Sequence, residues 1–185
     1  MRSSVTVGST RPRSGRRPVR PVLALTGVIG LAALLAFAVG HADSKLVIIN
    51  SSPSMAPGLY RRAGSPPAPG AIIAFTVPPV AIAHARQHGM SVGLSQFLKP
   101  VAAGAGDRVC VSRAEGLRIN GVRVAPVAAR DHDGHDLPIW NHCRVLEADE
   151  YFLYAPRVAN SFDSRYYGPV PQDAIKGVYV PLWTW

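Results

Sequence analysis

The sequence predicts a mainly β domain with one or two short helices, carried behind a single N-terminal transmembrane helix. Three observations predict it. Residues 22–40 read VLALTGVIGLAALLAFAVG, nineteen residues with no charge. After Asp43 the apolar runs are short, and most of the 17 prolines and 17 glycines fall among them. Within that body Asn120-Gly121 separates two alternating runs, a strong two-residue hairpin signal.

The N-terminal elements follow from charge. Arg2, Arg11, Arg13, Arg16, Arg17 and Arg20 precede the apolar run, and the first acidic residue of the 185 is Asp43. The formal charge is +9 from 20 Lys+Arg and 11 Asp+Glu, but with six arginines in the tail the remainder carries 14 basic against 11 acidic residues. The basicity is therefore mostly a tail, which argues against a nucleic-acid-binding body. Residues 1–21 read as a disordered cytoplasmic topology signal. Nineteen helical residues span roughly 28 Å, enough to cross the hydrocarbon core. The arginines place the N-terminus in the cytoplasm and the rest outside it. A cleaved signal ending at Gly40-His41-Ala42 is the rival reading, but its apolar region is normally only about 7–15 residues long. A twin-arginine signal at Arg16-Arg17 is disfavoured by Pro18.

Residues 43–185 are long enough for one domain with its own core. Strands are predicted over 45–50 (KLVIIN), 70–75, 107–112, 116–120, 122–127, 151–155 and 176–182. A helix is predicted over 80–89, from the prolines before it to the glycine that ends it. A further helical turn is expected around 93–98. SPPAPG (65–70) reads as a connector and DHDGHD (131–136) as a polar loop.

Two segments carry chemistry. In NSSPSMAPGLY (50–60), two prolines and a glycine force an irregular backbone between two strands. A serine on such a turn presents its hydroxyl and its own N–H to one point, a nucleophile and an oxyanion donor together; the plainer reading is an ordinary turn. In FLKPV (97–101), Lys99 lies among apolar neighbours and is the one lysine between Lys45 and Lys176. A lysine acts as general base only when burial lowers its pKa, a task arginine cannot perform. Its plainer reading is an exposed lysine at a strand end.

Taken together, these segments resemble the type I signal peptidase family. Ser52-Pro53-Ser54-Met55-Ala56-Pro57 is similar to the nucleophile box S-x-S-M-x-P. Lys99, with Gly106-Asp107 beyond it, resembles the lysine box, and Asn160-Ser161-Phe162-Asp163-Ser164-Arg165 resembles the last box, N-S-x-D-S-R. Three boxes in order, covering about residues 50–185, are far more specific than one. Within the family the likeness is to the TraF-type conjugative transfer branch, through FLKPVAAGAGDRVCV, GLRINGVRV, LPIWNHCRVL and the terminal PLWTW. Departures from the housekeeping pattern are Pro100, Ala103 and Ala105 in the lysine box, and Ala155-Pro156-Arg157 where Gly-Asp-Asn would open the last one.

The resemblance implies a signal-peptidase-like β fold and a serine endopeptidase that needs no cofactor. It implies Ser54 as nucleophile, Lys99 as general base, Ser52 as the hydroxyl that completes the oxyanion site, and Ser161 as the hydroxyl that orients the lysine. Asp163 and Arg165 match a pair that props this loop, with a plain surface ion pair as the alternative. The implied substrate is an exported precursor, a pilin-like propeptide, released by water or by its own amine as a cyclic product. The expected setting is the inner (cytoplasmic) membrane, single-pass, with the lipid bilayer as a partner and the catalytic domain on the periplasmic side. The alternatives are a general leader peptidase and a non-catalytic envelope scaffold for pilus assembly.

Cys110 and Cys143 are the two cysteines. An oxidising compartment favours their pairing, which would close a loop worth about 2–4 kcal/mol; two buried thiols are the alternative. His84 and His88 stand four apart on the predicted helix, and Asp131, His132, Asp133, His135, Asp136 and His142 crowd a later stretch. No metal is expected, since the stretch reads as a solvated loop.

Overall fold

A computed structural model describes residues 45–87, 96–159 and 161–185. The chain divides at Ala42/Asp43 into two compact units, and the described residues fall in the second. The expected tail, the 22–40 anchor and His88 lie outside the described residues. Among the described residues no helix is long and apolar enough to cross a membrane.

In chain order the elements are β1 (Val47–Asn50), β2 (Gly58–Ala63), β3 (Ile72–Thr76), α1 (Pro79–Gln87), β4 (Gln96–Ala103), β5 (Arg108–Ser112), β6 (Gly116–Ile119), β7 (Val122–Ala125), β8 (Cys143–Val145), β9 (Glu150–Leu153), α2 (Ser164–Tyr167), β10 (Val170–Pro171), a 3₁₀ turn at Gln172–Ala174, and β11 (Ile175–Thr184). They form a seven-stranded sheet, β1-β2-β11-β3-β4-β9-β10, and a four-stranded sheet, β7-β6-β5-β8. Neighbouring strands run antiparallel. The mainly β architecture with two short helices is thus the observed one.

Period-2 alternation explains the large sheet. Ile73, Phe75, Val101, Leu153, Val170 and Val178 close one cluster, while Tyr60, Ala74, Leu98 and Tyr179 close another. Successive residues of β3 and β4 therefore serve opposite faces. Of the helical turn expected around 93–98, residues 93–95 lie outside the described residues and the remainder is corrected: Gln96–Leu98 is strand, paired with Phe75 and its neighbours in β3. Phe97 and Leu98 bury themselves on both faces, and that sheet packing overrides any local helical preference. A third cluster, with Val109, Leu117 and Phe152 at its centre, fills the space beneath the small sheet.

Turn chemistry sets the small sheet. Asn120 and Gly121 have φ of 49° and 84°, the pair of positive values that a tight hairpin demands. Asn120 also donates through Nδ2 to Asp107 Oδ1 at 2.8 Å. Cys110 and Cys143 stand opposite each other in the β5–β8 register, and their sulfurs are bonded. The disulfide ties the excursion 112–142 back to its base. Helix α1 begins at Pro79, whose missing N–H is harmless in a first turn, one residue before the predicted start. Its predicted last residues, 88 and 89, lie outside the described residues.

Candidate active site

Asn50, the last residue of β1, builds the turn that carries Ser54. Its Nδ2 donates to the carbonyls of Ser52 (3.0 Å) and Ala56 (3.1 Å), and its Oδ1 accepts the Ser52 N–H at 3.2 Å. Tyr60 Oη donates to the Ala56 carbonyl at 2.7 Å from β2. A buried Asn meeting several backbone groups replaces the ladder that this irregular stretch cannot form. Sequence reasoning gave Asn50 no role. Its place at the end of a strand, directly before Ser-Ser-Pro, was the available signal.

Within that turn Ser52 Oγ and Ser54 Oγ lie 2.8 Å apart, and the Ser54 N–H donates to Ser52 Oγ at 3.4 Å. Ser54 is buried while Ser52 is exposed. Two donors, the Ser54 N–H and the Ser52 hydroxyl, thus flank the Ser54 oxygen. Met55 packs into the cluster that holds Leu98, one residue before Lys99, which seats the serine turn beside β4.

Lys99 is 5% exposed, and its Nζ donates to Ser161 Oγ at 2.6 Å. The lysine is therefore not the exposed strand-end residue of the plainer reading. Burial pulls its pKa down from 10.5 to about 8; Asp163 works against this and Arg165 with it. The value follows from desolvation of an ammonium whose direct partner is a neutral hydroxyl. No hydrogen bond joins Ser54 to Lys99. Each instead holds its own serine partner, Ser52 and Ser161, and such contacts are often long before substrate binds.

The Ser161 loop is held from beneath by Asp163 and Arg165, which are 0% and 1% exposed. Arg165 Nε donates to Asp163 Oδ1 at 2.8 Å and Nη2 to Oδ2 at 3.0 Å. Burial opposes the Arg165 charge, but the hydrogen bonds and charge of Asp163 outweigh it and raise the pKa. Arg165 also donates to the carbonyls of Pro126 (2.8 Å) and Ser161 (3.0 Å). Its guanidinium lies 4.8 Å from the centre of the Tyr154 ring and 5.2 Å from that of Tyr166. The surface-pair alternative is thereby overturned: this is a buried pair that grips the Ser161 carbonyl. Asp163 Oδ1 also caps α2 through the Arg165 N–H, and Ser164 Oγ accepts the Leu153 N–H at 2.9 Å. Ser164, too, had no role in the sequence reading.

The Gly106-Asp107 step closes the turn after β4. Asp107 Oδ2 accepts the Gly104 N–H at 2.9 Å, and Gly106 has φ +84°. The histidines scatter. His84 is buried against Phe162, and His142 leans on Trp140. His132 contacts Asp133, and Arg130 pairs with Asp136. Asp131, Asp133 and His135 bring ligand atoms within 4.8 Å of one another. That turn is largely exposed, and Asp131 already accepts the N–H groups of Asp133 and His135.

The plasmid transfer protein TraF of Escherichia coli is 33% identical over 180 residues, 91% of this chain and 99% of that protein. The probable conjugal transfer protein TraF of Sinorhizobium fredii is 32% identical over 178 residues, 89% and 90% of the two chains. A crystal structure of a signal peptidase I from Enterococcus faecalis is similar at 24% identity and a TM-score of 0.39, covering 63% of this chain and 98% of that one. The model of the signal peptidase family, peptidase S26, matches residues 20–184. A match over nearly the whole chain, beside relatives of the TraF type, establishes that this chain belongs to the signal peptidase family, peptidase S26.

Proposed function

We propose that the chain is a membrane-bound serine endopeptidase that matures exported precursors, with a pilin subunit of a conjugation system as its substrate. The observation that carries this reading is the buried Lys99 amine, 2.6 Å from Ser161 Oγ, with a pKa of about 8. Such an amine supplies an appreciable neutral fraction near neutral pH.

The steps follow from the residues. The neutral Lys99 Nζ takes the Ser54 hydroxyl proton as Ser54 Oγ bonds to the scissile carbonyl carbon. The oxyanion accepts from the Ser54 N–H and the Ser52 hydroxyl, both of which must turn from their present mutual contact toward it. The C–N bond then breaks, and Lys99 returns the proton to the leaving amine. Water or the substrate's own N-terminal amine attacks the Ser54 ester, with Lys99 again as base, and gives a linear or a cyclic product.

Two further features support the setting. Leu46, Ile49, Leu182, Trp183 and Trp185 are each more than half exposed. Ile49 and Trp183 both pair with Leu59, so an apolar, tryptophan-bearing sheet face lies beside the serine turn. Such a face suits the membrane–water interface, and the expected anchor ends only a few residues before Lys45. The conjugation assignment rests on relatives described as plasmid or conjugal transfer proteins.

A serine-reactive acylating probe tests the enzyme reading. It should modify Ser54, identified by the mass of its peptide, and should fail with Ser54→Ala and Lys99→Arg. Absence of labelling over a broad pH range would leave the scaffold reading. Cleavage of a conjugative pilin precursor in preference to ordinary secreted precursors separates pilin maturation from general leader processing.

A further inference from the structure

We propose that His84 is a positioning residue for the Lys99 amine, acting through a parallel stack of three rings, His84, Phe162 and Tyr166, that fixes the backbone carrying Ser161. The inference deepens the proposed reading of the site and concerns how its lysine is held in place.

The stack is nearly ideal. The His84 and Phe162 rings lie 5.0 Å apart and 10° from parallel; Phe162 and Tyr166 lie 5.2 Å apart and 4° from parallel. Both distances fall within the range of attractive ring pairs. His84 and Tyr166 are buried. The three rings come from separate places: α1, the residue directly after Ser161, and α2. Tyr166 is itself fixed, since its N–H donates to the Asp163 carbonyl at 2.9 Å and its Oη accepts the Ala128 N–H at 3.3 Å. Phe162 thus stacks on an anchored ring and on a ring from the helix that precedes the Lys99 strand.

The consequence falls on Ser161. Its N–H donates to the Val158 carbonyl at 3.1 Å, and its own carbonyl accepts from Arg165. These bonds fix the peptide groups on either side. The ring stack on Phe162, the next residue in the chain, adds a third restraint on the same backbone and with the two hydrogen bonds holds the direction of Ser161 Oγ. Ser161 Oγ is the hydrogen-bond partner of the Lys99 amine. The charged groups acting on that amine are Asp163 and Arg165, in opposite senses, while burial is the leading influence. A loop that loosens admits water to the amine, so the environment of Lys99 reports the stack directly.

The test needs no turnover. The chain has three lysines, Lys45, Lys99 and Lys176, so the full-length protein in detergent micelles, labelled at lysine Cε with ¹³C, gives a resolvable spectrum. Lys45→Arg and Lys176→Arg assign the Lys99 signal. In His84→Ala and Phe162→Leu the Lys99 titration midpoint should rise by at least about 0.5 unit toward the ordinary lysine value. His84→Phe retains a ring and should keep the midpoint within about 0.2 unit of wild type. If His84→Ala does not fold, His84→Leu, which keeps bulk without a flat ring, takes its place, and a Lys99 midpoint unmoved in the His84 variant that lacks a ring overturns the proposal. A Lys99 midpoint unmoved in Phe162→Leu overturns the proposal, because a ring that merely fills the core leaves the amine alone. A midpoint in His84→Phe displaced as far as in Phe162→Leu also overturns it, because stacking is then not what matters. Failure of the peptidase reading appears elsewhere, as absent Ser54 labelling, and leaves this titration fully readable.

Discussion

Replacing Lys99 with methionine should make the protein more stable and inactive at once. Methionine keeps most of the apolar stem and removes a charge that burial disfavours. The Lys99 pKa of about 8, against roughly 10.4 in an unfolded chain, corresponds to about 3 kcal/mol of penalty for the charged form. Removing the lysine also orphans the Ser161 hydroxyl, which costs about 1 kcal/mol. The net expected gain is about 2 kcal/mol at pH 6.5. The sign with pH follows from the depressed value. Below the folded pKa both states are protonated and the penalty is complete. Between about 8 and 10.4 the unfolded chain binds more protons, so wild-type stability rises with pH and the penalty fades. The advantage of Lys99→Met should therefore shrink by about 2 kcal/mol between pH 6.5 and pH 10. Urea unfolding of residues 43–185, a compact unit of the chain, measures it; groups shared by both proteins cancel in the difference. An advantage that is absent at pH 6.5, or that does not change with pH, would refute a buried, desolvated lysine and with it the physical basis for a base at this position.

Ser54→Ala and Lys99→Ala should each abolish precursor processing, and the double variant should be no worse than either, because both groups act in one proton transfer; steady-state cleavage of a precursor checks this. Turnover should rise with pH on a limb centred near the Lys99 value of about 8, and Lys99→Arg should show no limb at all. Arg165→Met should lower stability by about 3–5 kcal/mol, since it strands the fully buried Asp163, whereas Arg130→Met on the exposed pair with Asp136 should change urea unfolding hardly at all. Replacing both Cys110 and Cys143 by serine should cost about 2–4 kcal/mol, measured by the same unfolding under identical conditions.

Much of the scaffold was legible because it depends on local pattern. Short apolar runs between turn residues marked the strands around Ile73, Val109 and Phe152. Asn120-Gly121 marked a turn that demands two positive φ values, which asparagine and glycine accept readily. Short or weakly patterned strands were missed. β8 has three residues and β10 two, and they exist because β5 and β9 offer an edge to pair with. The Gln96–Leu98 segment failed for the opposite reason. Strand β4 is apolar on both faces, so it has no period to read, and its conformation is set by β3 across the sheet. β2 and its pairing with the C-terminal strand depend on Gly58, where a Cβ would collide with the Trp183 carbonyl; only the fold shows which glycine carries that constraint.

The site divides along the same line. The resemblance to the signal peptidase boxes pointed to Ser54, Lys99, Ser52 and Ser161; the residues by themselves offered only a serine on an irregular turn and a lysine that burial could neutralise. What makes Lys99 unusual is not in its neighbours in sequence. Arg165 and Asp163 are two residues apart, a spacing equally suited to an exposed pair, and the choice is made by distant partners: Pro126 offers a carbonyl, Tyr154 a ring face, and Trp140 an N–H to the Arg165 carbonyl at 3.1 Å. Those partners lie in the excursion that the Cys110–Cys143 bond closes and in the β9 end that adjoins β4. Once buried, the pair acts on Lys99 in opposed senses, Asp163 raising its pKa and Arg165 lowering it, with burial the leading influence. A lone carboxylate in place of the pair would push the amine toward its protonated form, so Arg165 works in the same direction as the apolar strand, though less strongly than burial does.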